Sequence, residues 1–346
     1  TGDVSVASGA TLRVANSLAV THTLSVGGSL SNAGTVDFST AGSDCNVTFT
    51  GTSNTTISGA GATTDFNVLT VNKGTSQTPV LTVTSSAFTL SGVEPTLVLT
   101  NGTFKLSSAI TIAPTTSAFT IPATSCLSVN GGTVNLATSA SDASDVYLNG
   151  KLEILAGTVN IGNSANNNNN DIEYFATGTP ELDLQGTGSL NVNGQIRRSA
   201  SIVTGVLSYK QSGTSAVLIR GRNHLATRAK LEVANTGSIF NMSGTSTLII
   251  QSGNGTTYFD LYLYPTSSTV TGGTITMGNA STAASQTFKL STTTSLYSLA
   301  LNTTNSPTTQ LISFGLTLKG SLTIQAGAIF NANSLDVNIA GDFTNS

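Results

Sequence analysis

The chain has 346 residues, of which 8% are charged and 38% hydrophobic, and its formal net charge is −3. Soluble domains usually carry about 25% charged residues, so the polar surface here has to be built from Thr, Ser, Asn and Gly. The charge balance gives no global attraction to nucleic acid or to an anionic membrane, and no run of about 18 apolar residues exists to span a bilayer as a helix. Disorder is excluded as well, because the apolar residues are frequent and regularly spread enough to form a core.

In chain order, short runs alternate apolar with small polar residues, the pattern of strands with one buried face. They include Leu24-Ser-Val26, Val36-Asp-Phe38, Val47-Thr-Phe49, Leu81-Thr-Val83, Phe88-Thr-Leu90, Leu97-Val-Leu99 and Ile110-Thr-Ile112. No window repeats apolar residues at helical spacing among good helix formers, so the sequence predicts essentially no α-helix.

From residue 97 onward one phrase recurs: apolar-x-apolar, a few turn residues, Gly, a small residue, then apolar-x-apolar. It reads Leu97-Val-Leu99 with Gly102 and Phe104-Lys-Leu106, then Leu127-Ser-Val129 with Gly132, Leu152-Glu-Ile154 with Gly157, and Leu182-Asp-Leu184 with Gly188. Looser copies contain Gly237, Gly273 and Gly327. Starts at 97, 127, 152 and 182 imply a period of about 25–30 residues, within the range of solenoids, propellers and tandem arrays. Each phrase reads as two short strands bent at a glycine that supplies a positive φ. Such a pair cannot bury its apolar face alone, and stacking coil on coil solves this. The expected fold is therefore all-β: an elongated right-handed parallel β-helix, or β-solenoid, of about 12 coils and about 60 Å. One array over residues 1–346 is expected, itself part of a longer chain or of a repeating assembly. Tandem antiparallel sandwiches are the structural runner-up.

Two stretches break the rhythm. Asn163 to Asp171 reads as a solvated loop protruding from a corner. Between Gln195 and Lys230 lie Arg197, Arg198, Lys210, Arg220, Arg222, Arg228 and Lys230, with no Asp or Glu among them. Those seven cations could form a stripe for anionic glycans or a neighbouring subunit. The alternative is that they are spread over several faces and pair with Glu173, Glu181 or Glu232 from adjacent rungs.

Val47-Thr-Phe49-Thr-Gly51, Phe66-Asn-Val-Leu-Thr-Val-Asn72, Gly194-Gln-Ile-Arg-Arg198, Leu207-Ser-Tyr-Lys-Gln211, Arg228-Ala-Lys-Leu-Glu-Val233 and Phe240-Asn-Met-Ser-Gly244 resemble phrases of large repetitive surface proteins of Bacteroidota. The resemblance extends over nearly the whole chain. It implies a giant exported polypeptide, often carried by the type IX route and held at the cell surface or released. The C-terminal sorting domain of such proteins is not within these 346 residues.

Catalysis would need groups that the sequence supplies sparingly. Glycoside hydrolysis requires two carboxylates about 5–9.5 Å apart. The pairs Asp171 with Glu173 and Glu181 with Asp183 are expected as exposed strand carboxylates without clustered cations. His22 and His224 have no local partners for a triad or a zinc site, and no cofactor motif is present. A groove lined by three or more carboxylates with basic residues would favour a polysaccharide lyase or hydrolase, whereas a smooth Thr/Asn/Ser surface favours a shaft. Seven Asn-x-Ser/Thr triplets begin at Asn46, Asn54, Asn101, Asn241, Asn254, Asn279 and Asn302 and suit surface glycosylation. Cys45 and Cys126, the only cysteines, are expected about three rungs apart, buried and unbridged. The expected role is a non-catalytic, secreted structural protein: a cell-surface shaft, filament subunit or adhesin stalk. Its expected partners are copies of itself or further repeats end to end, and surface glycans. A polysaccharide-active enzyme or a glycan-binding module is the alternative.

Overall fold

The computed structural model describes residues 2–15, 19–40, 43–201, 203–253, 258–302 and 305–346. All regular structure among them is β, arranged as stacked coils that form a β-solenoid of about 12 turns. The described ladder pairings are parallel except for Ser39–Thr40, which runs antiparallel to the start of Ser43–Phe49. Thirty strands join into one continuous sheet that winds with the coils.

Each coil has three sides. The first face carries Ile57, Val83, Leu106, Val129, Ile154 and Leu184 in one inward column, each paired with the next. The second face stacks Val134, Val159, Leu190, Val217, Leu248, Ile275, Leu299 and Leu322. The third stacks Val146, Ile172, Ile196, Leu231, Leu261 and Leu290. These side chains are fully or almost fully buried, which is why alternation with a period of two suffices to specify the strands. Aromatic rings thicken the stack locally: Tyr209 lies on Phe240 with ring centroids 5.2 Å apart and planes 14° apart. A buried Gln211 interrupts the first column. Tyr209 Oη donates to its Oε1, and its Nε2 donates to the Ser215 and Thr247 carbonyls.

Coil length centres on the expected 25–30 residues, as between Leu127, Leu152 and Leu182, but spreads beyond that range at both ends. Leu322 pairs with Phe343 but Ile196 with Leu231, so one coil takes 21 to 35 residues. The recurring phrase also does not mark a fixed place in the coil. Gly102 turns the chain from the third face to the first, Gly132 from the first to the second, and Gly327 from the second to the third. All three have positive φ, as a Cβ-free corner requires. Gly188 does not; Gly186, two residues earlier, supplies that conformation. Leu127, Leu152 and Leu182 are true ladder neighbours, but Leu97 pairs with Leu69 on the third face.

Cys45 and Cys126 are buried and unbridged. Three ladder steps separate their strands, from Ser43–Phe49 to Val68–Asn72, to Leu97–Leu106 and to Ser125–Leu136. The corner at Gly102 places the two on different faces.

Candidate functional site

The seven cations of the 195–230 segment do not assemble into one exposed stripe. Arg197 is buried on the third face among three acids: its Nε donates to Asp171, Nη1 lies 3.1 Å from Glu173 and Nη2 lies 3.7 Å from Asp145. Arg198 Nε is 3.0 Å from Glu232, and Arg228 Nε is 3.9 Å from the same carboxylate. Lys210 meets Glu181 at 2.7 Å on the first face. Lys230 is fully buried, and its Nζ donates to the Gly221 carbonyl at 3.0 Å. Arg222 Nη1 donates to the Ser164 and Asn166 carbonyls at 2.7 and 2.6 Å. Arg220 lines a pocket on the second face. Glu173, Glu181 and Glu232 thus take up cations from adjacent rungs.

The third-face network is a stacked spine at the corner leading into that face. Asp145, Asp171, Gln195, Lys230 and Asp260 occupy equivalent places in successive coils, because the amides of Val146, Ile172, Ile196 and Leu231 each donate to the carbonyl of the next member. The acids also cap the ladder: Asp145 Oδ1 accepts the Asp171 amide at 2.7 Å and Asp171 Oδ1 the Gln195 amide at 2.5 Å. Burial, with the nearby Asp171 charge second, raises Asp145 to about 7. Burial also raises Asp171, and it lowers Lys230 to about 7 against the pull of Asp260 and Asp171. Asp171 and Glu173, expected on an exposed strand, are instead buried. The 163–171 loop, expected as fully solvated, turns inward at its end: Asn170 is buried and donates to the Ser141 and Ser144 carbonyls.

The first face carries a second cluster that the sequence pattern did not reveal. Lys151 Nζ is 2.8 Å from Glu153, 3.1 Å from Glu181 and 3.0 Å from Asp183. Ladder register builds it, since Lys151 pairs with Glu181, and Glu153 with Asp183, whose own partner is Lys210. Glu181 and Asp183 are therefore not isolated from cations, as expected, but clamped by them. Cavities of about 430 and 310 Å³ flank the cluster, and Lys151 and Gln77 line both. Burial disfavours every charge here, yet hydrogen bonds outweigh it. Lys151 is held above the ordinary range by Glu153, Asp183 and Glu181; Glu153 is lowered by Lys151 and Ser128, and Glu181 by Lys210 and Lys151.

The other candidates resolve simply. His22 is exposed on Thr21–Val26, and among the described residues no group of three or more His, Cys, Asp or Glu side chains is placed to hold a metal ion. Burial raises both thiols, Cys126 to about 12 with Glu153 adding to the effect. Several triplet asparagines serve the ladder: Asn46 accepts from Asn67, Asn54 from the Val80 amide, Asn241 from the Thr269 amide, and Asn101 donates to Asn72. Asn254 lies outside the described residues. In comparisons with known proteins the chain matches no family model, no curated protein and no solved structure.

Proposed function

We propose that the chain is a non-catalytic structural element of the cell surface or extracellular space: a shaft, filament segment or adhesin stalk. One observation carries this reading. The second-face column runs in unbroken register from Val134 to Leu322, so each coil is held by its neighbours through both backbone ladder and apolar stack. Low charge and a surface of Thr, Ser and Asn suit an exported stalk, as does the resemblance to exported surface proteins. The natural partners are further coils, of this or another chain, stacking where Ile329 and Phe343 are exposed.

The Lys151 groove favours a second reading, a polysaccharide lyase or hydrolase, because it brings three carboxylates and two lysines together. Its electrostatics speak against this. A general acid needs a raised pKa and a basic amine a lowered one, whereas Glu153, Glu181 and Lys151 are all held in their charged forms. The ammonium also occupies the space between the carboxylates, where a sugar would have to sit. Incubation with a panel of neutral and acidic polysaccharides is expected to release no reducing ends and no unsaturated products. Turnover that disappears in Glu181→Gln would replace the shaft with the enzyme.

A further inference from the structure

Five of the seven cations in the basic segment are consumed by acids or by the Gly221 carbonyl, and Arg222 by the carbonyls of the neighbouring loop. Arg220 differs. Its side chain is half-buried, and no described carboxylate or carbonyl pairs with its guanidinium. It opens onto a cavity of about 370 Å³ on the second face, shared with Asn135, Thr138, Asn160, Gly162, Asn163 and Ser164. That volume lies in the range of small-ligand sites, roughly 300–1,000 Å³.

The walls of this cavity are built rather than incidental. Asn191 Nδ2 donates to Asn160 Oδ1 at 2.9 Å, and Asn160 Nδ2 donates to Asn135 Oδ1 at 2.8 Å, so register aligns three amides up the face. Asn135 Nδ2 ends that chain and donates to no described residue. Arg222 fixes the opposite wall by holding the Ser164 and Asn166 carbonyls. Gly162 has φ +78°, and a Cβ there would come within 2.7 Å of Asn193 Cβ, so the close approach of this wall depends on glycine. The acid of the adjacent loop, Asp142, is already engaged by the Asn169 amide and the Asn223 side chain. A partly desolvated guanidinium beside a second arginine, with no anion supplied by the described residues, leaves an electrostatic demand that a ligand can meet. Burial first, and Arg222 second, lower the Arg220 pKa accordingly.

We propose that this pocket binds the oxyanion of an acidic saccharide, with Arg220 taking the carboxylate or sulfate and the Asn135–Asn160 amides taking ring hydroxyls. The planar guanidinium suits two-point contact with either oxyanion, and primary amides both donate to and accept from hydroxyls. Asn135 and Arg220 are binding residues; Arg222 is a positioning residue. The inference does not rest on the shaft reading, since turnover and binding are measured separately.

The test is titration calorimetry of the whole chain with trigalacturonate, a heparin hexasaccharide and maltotriose. Binding of the first, the second or both, weakening as salt rises, is expected; binding of trigalacturonate shows that a carboxylate suffices, and binding of the heparin hexasaccharide alone, which carries carboxylates as well, shows that sulfate is required. Arg220→Gln should weaken it about tenfold or more, and Asn135→Ala several-fold, because charge-assisted bonds exceed neutral ones. Lys105→Gln on the first face should leave it unchanged. The Arg220 guanidinium makes no bond to a described residue that the substitution would lose, and its backbone bonds to Val192 and Ser252 are kept, so the variant should melt like the parent. Equal binding of maltotriose, no saccharide binding at all, or undiminished binding by Arg220→Gln would overturn the proposal.

Discussion

Asp145 and Lys230 are buried ionisable members of the third-face spine, and their titration has a definite sign. An unfolded chain releases an Asp proton near pH 4, roughly, whereas folded Asp145 holds it to about 7. The folded state therefore binds the extra proton between those values, and this contribution to stability falls as pH rises through them. Lys230 behaves in the opposite sense. Its folded pKa, about 7, lies below the unfolded value of roughly 10.4, so its contribution recovers as pH rises from 7 toward 10. Urea midpoints measured from pH 4 to 10 should show Asp145→Asn flattening the acid limb and Lys230→Met flattening the alkaline limb. Unchanged slopes in both variants would mean that the spine does not titrate in the folded chain. Some of this pairing was legible in the sequence, because a basic segment without local acids must find them on neighbouring rungs, and Glu173, Glu181 and Glu232 are where it finds them. The Lys151 clamp was not legible: Lys151, Glu181 and Asp183 meet only through register, which spacing along the chain does not display.

At the scale of the element, the corners decide which residues can be strands. Gly132 has φ +68°, and a Cβ on it would lie 2.2 Å from the Ile110 carbonyl oxygen of the preceding coil. Gly9 has φ +78° with open space around the same position. Gly9→Ala should then cost only the left-handed strain, about 1–2 kcal/mol, whereas Gly132→Ala adds a backbone clash and should cost clearly more. Equal losses in denaturant melts would show that sterics at the corner are relaxed. The alternation of strands and the glycine corners could be read from the sequence, since each is a local requirement. The phase could not, because Gly102, Gly132 and Gly327 turn three different corners with the same local chemistry. Measuring from one phrase to the next therefore gave whole turns between Leu127, Leu152 and Leu182 but a false one from Leu97.

For the whole molecule, the cysteines report on the stack. Thiols separated by three ladder steps and a corner cannot approach within the ~7 Å that a disulfide needs. Alkylation under denaturing, non-reducing conditions should add two labels per chain, and a monomer with none would require a different stacking order. Labelling before denaturation should be slow, since burial protects both thiols and raises their pKa values. The spread of coil lengths has a further consequence. A turn of 21 residues and one of 35 advance the stack by the same strand spacing, because surplus residues leave the ladder as loops. The reach of the molecule is therefore counted in turns and is indifferent to residues. Insertions at a corner can add a new surface to one side without lengthening the rod, and only the gain or loss of an entire turn changes how far it extends.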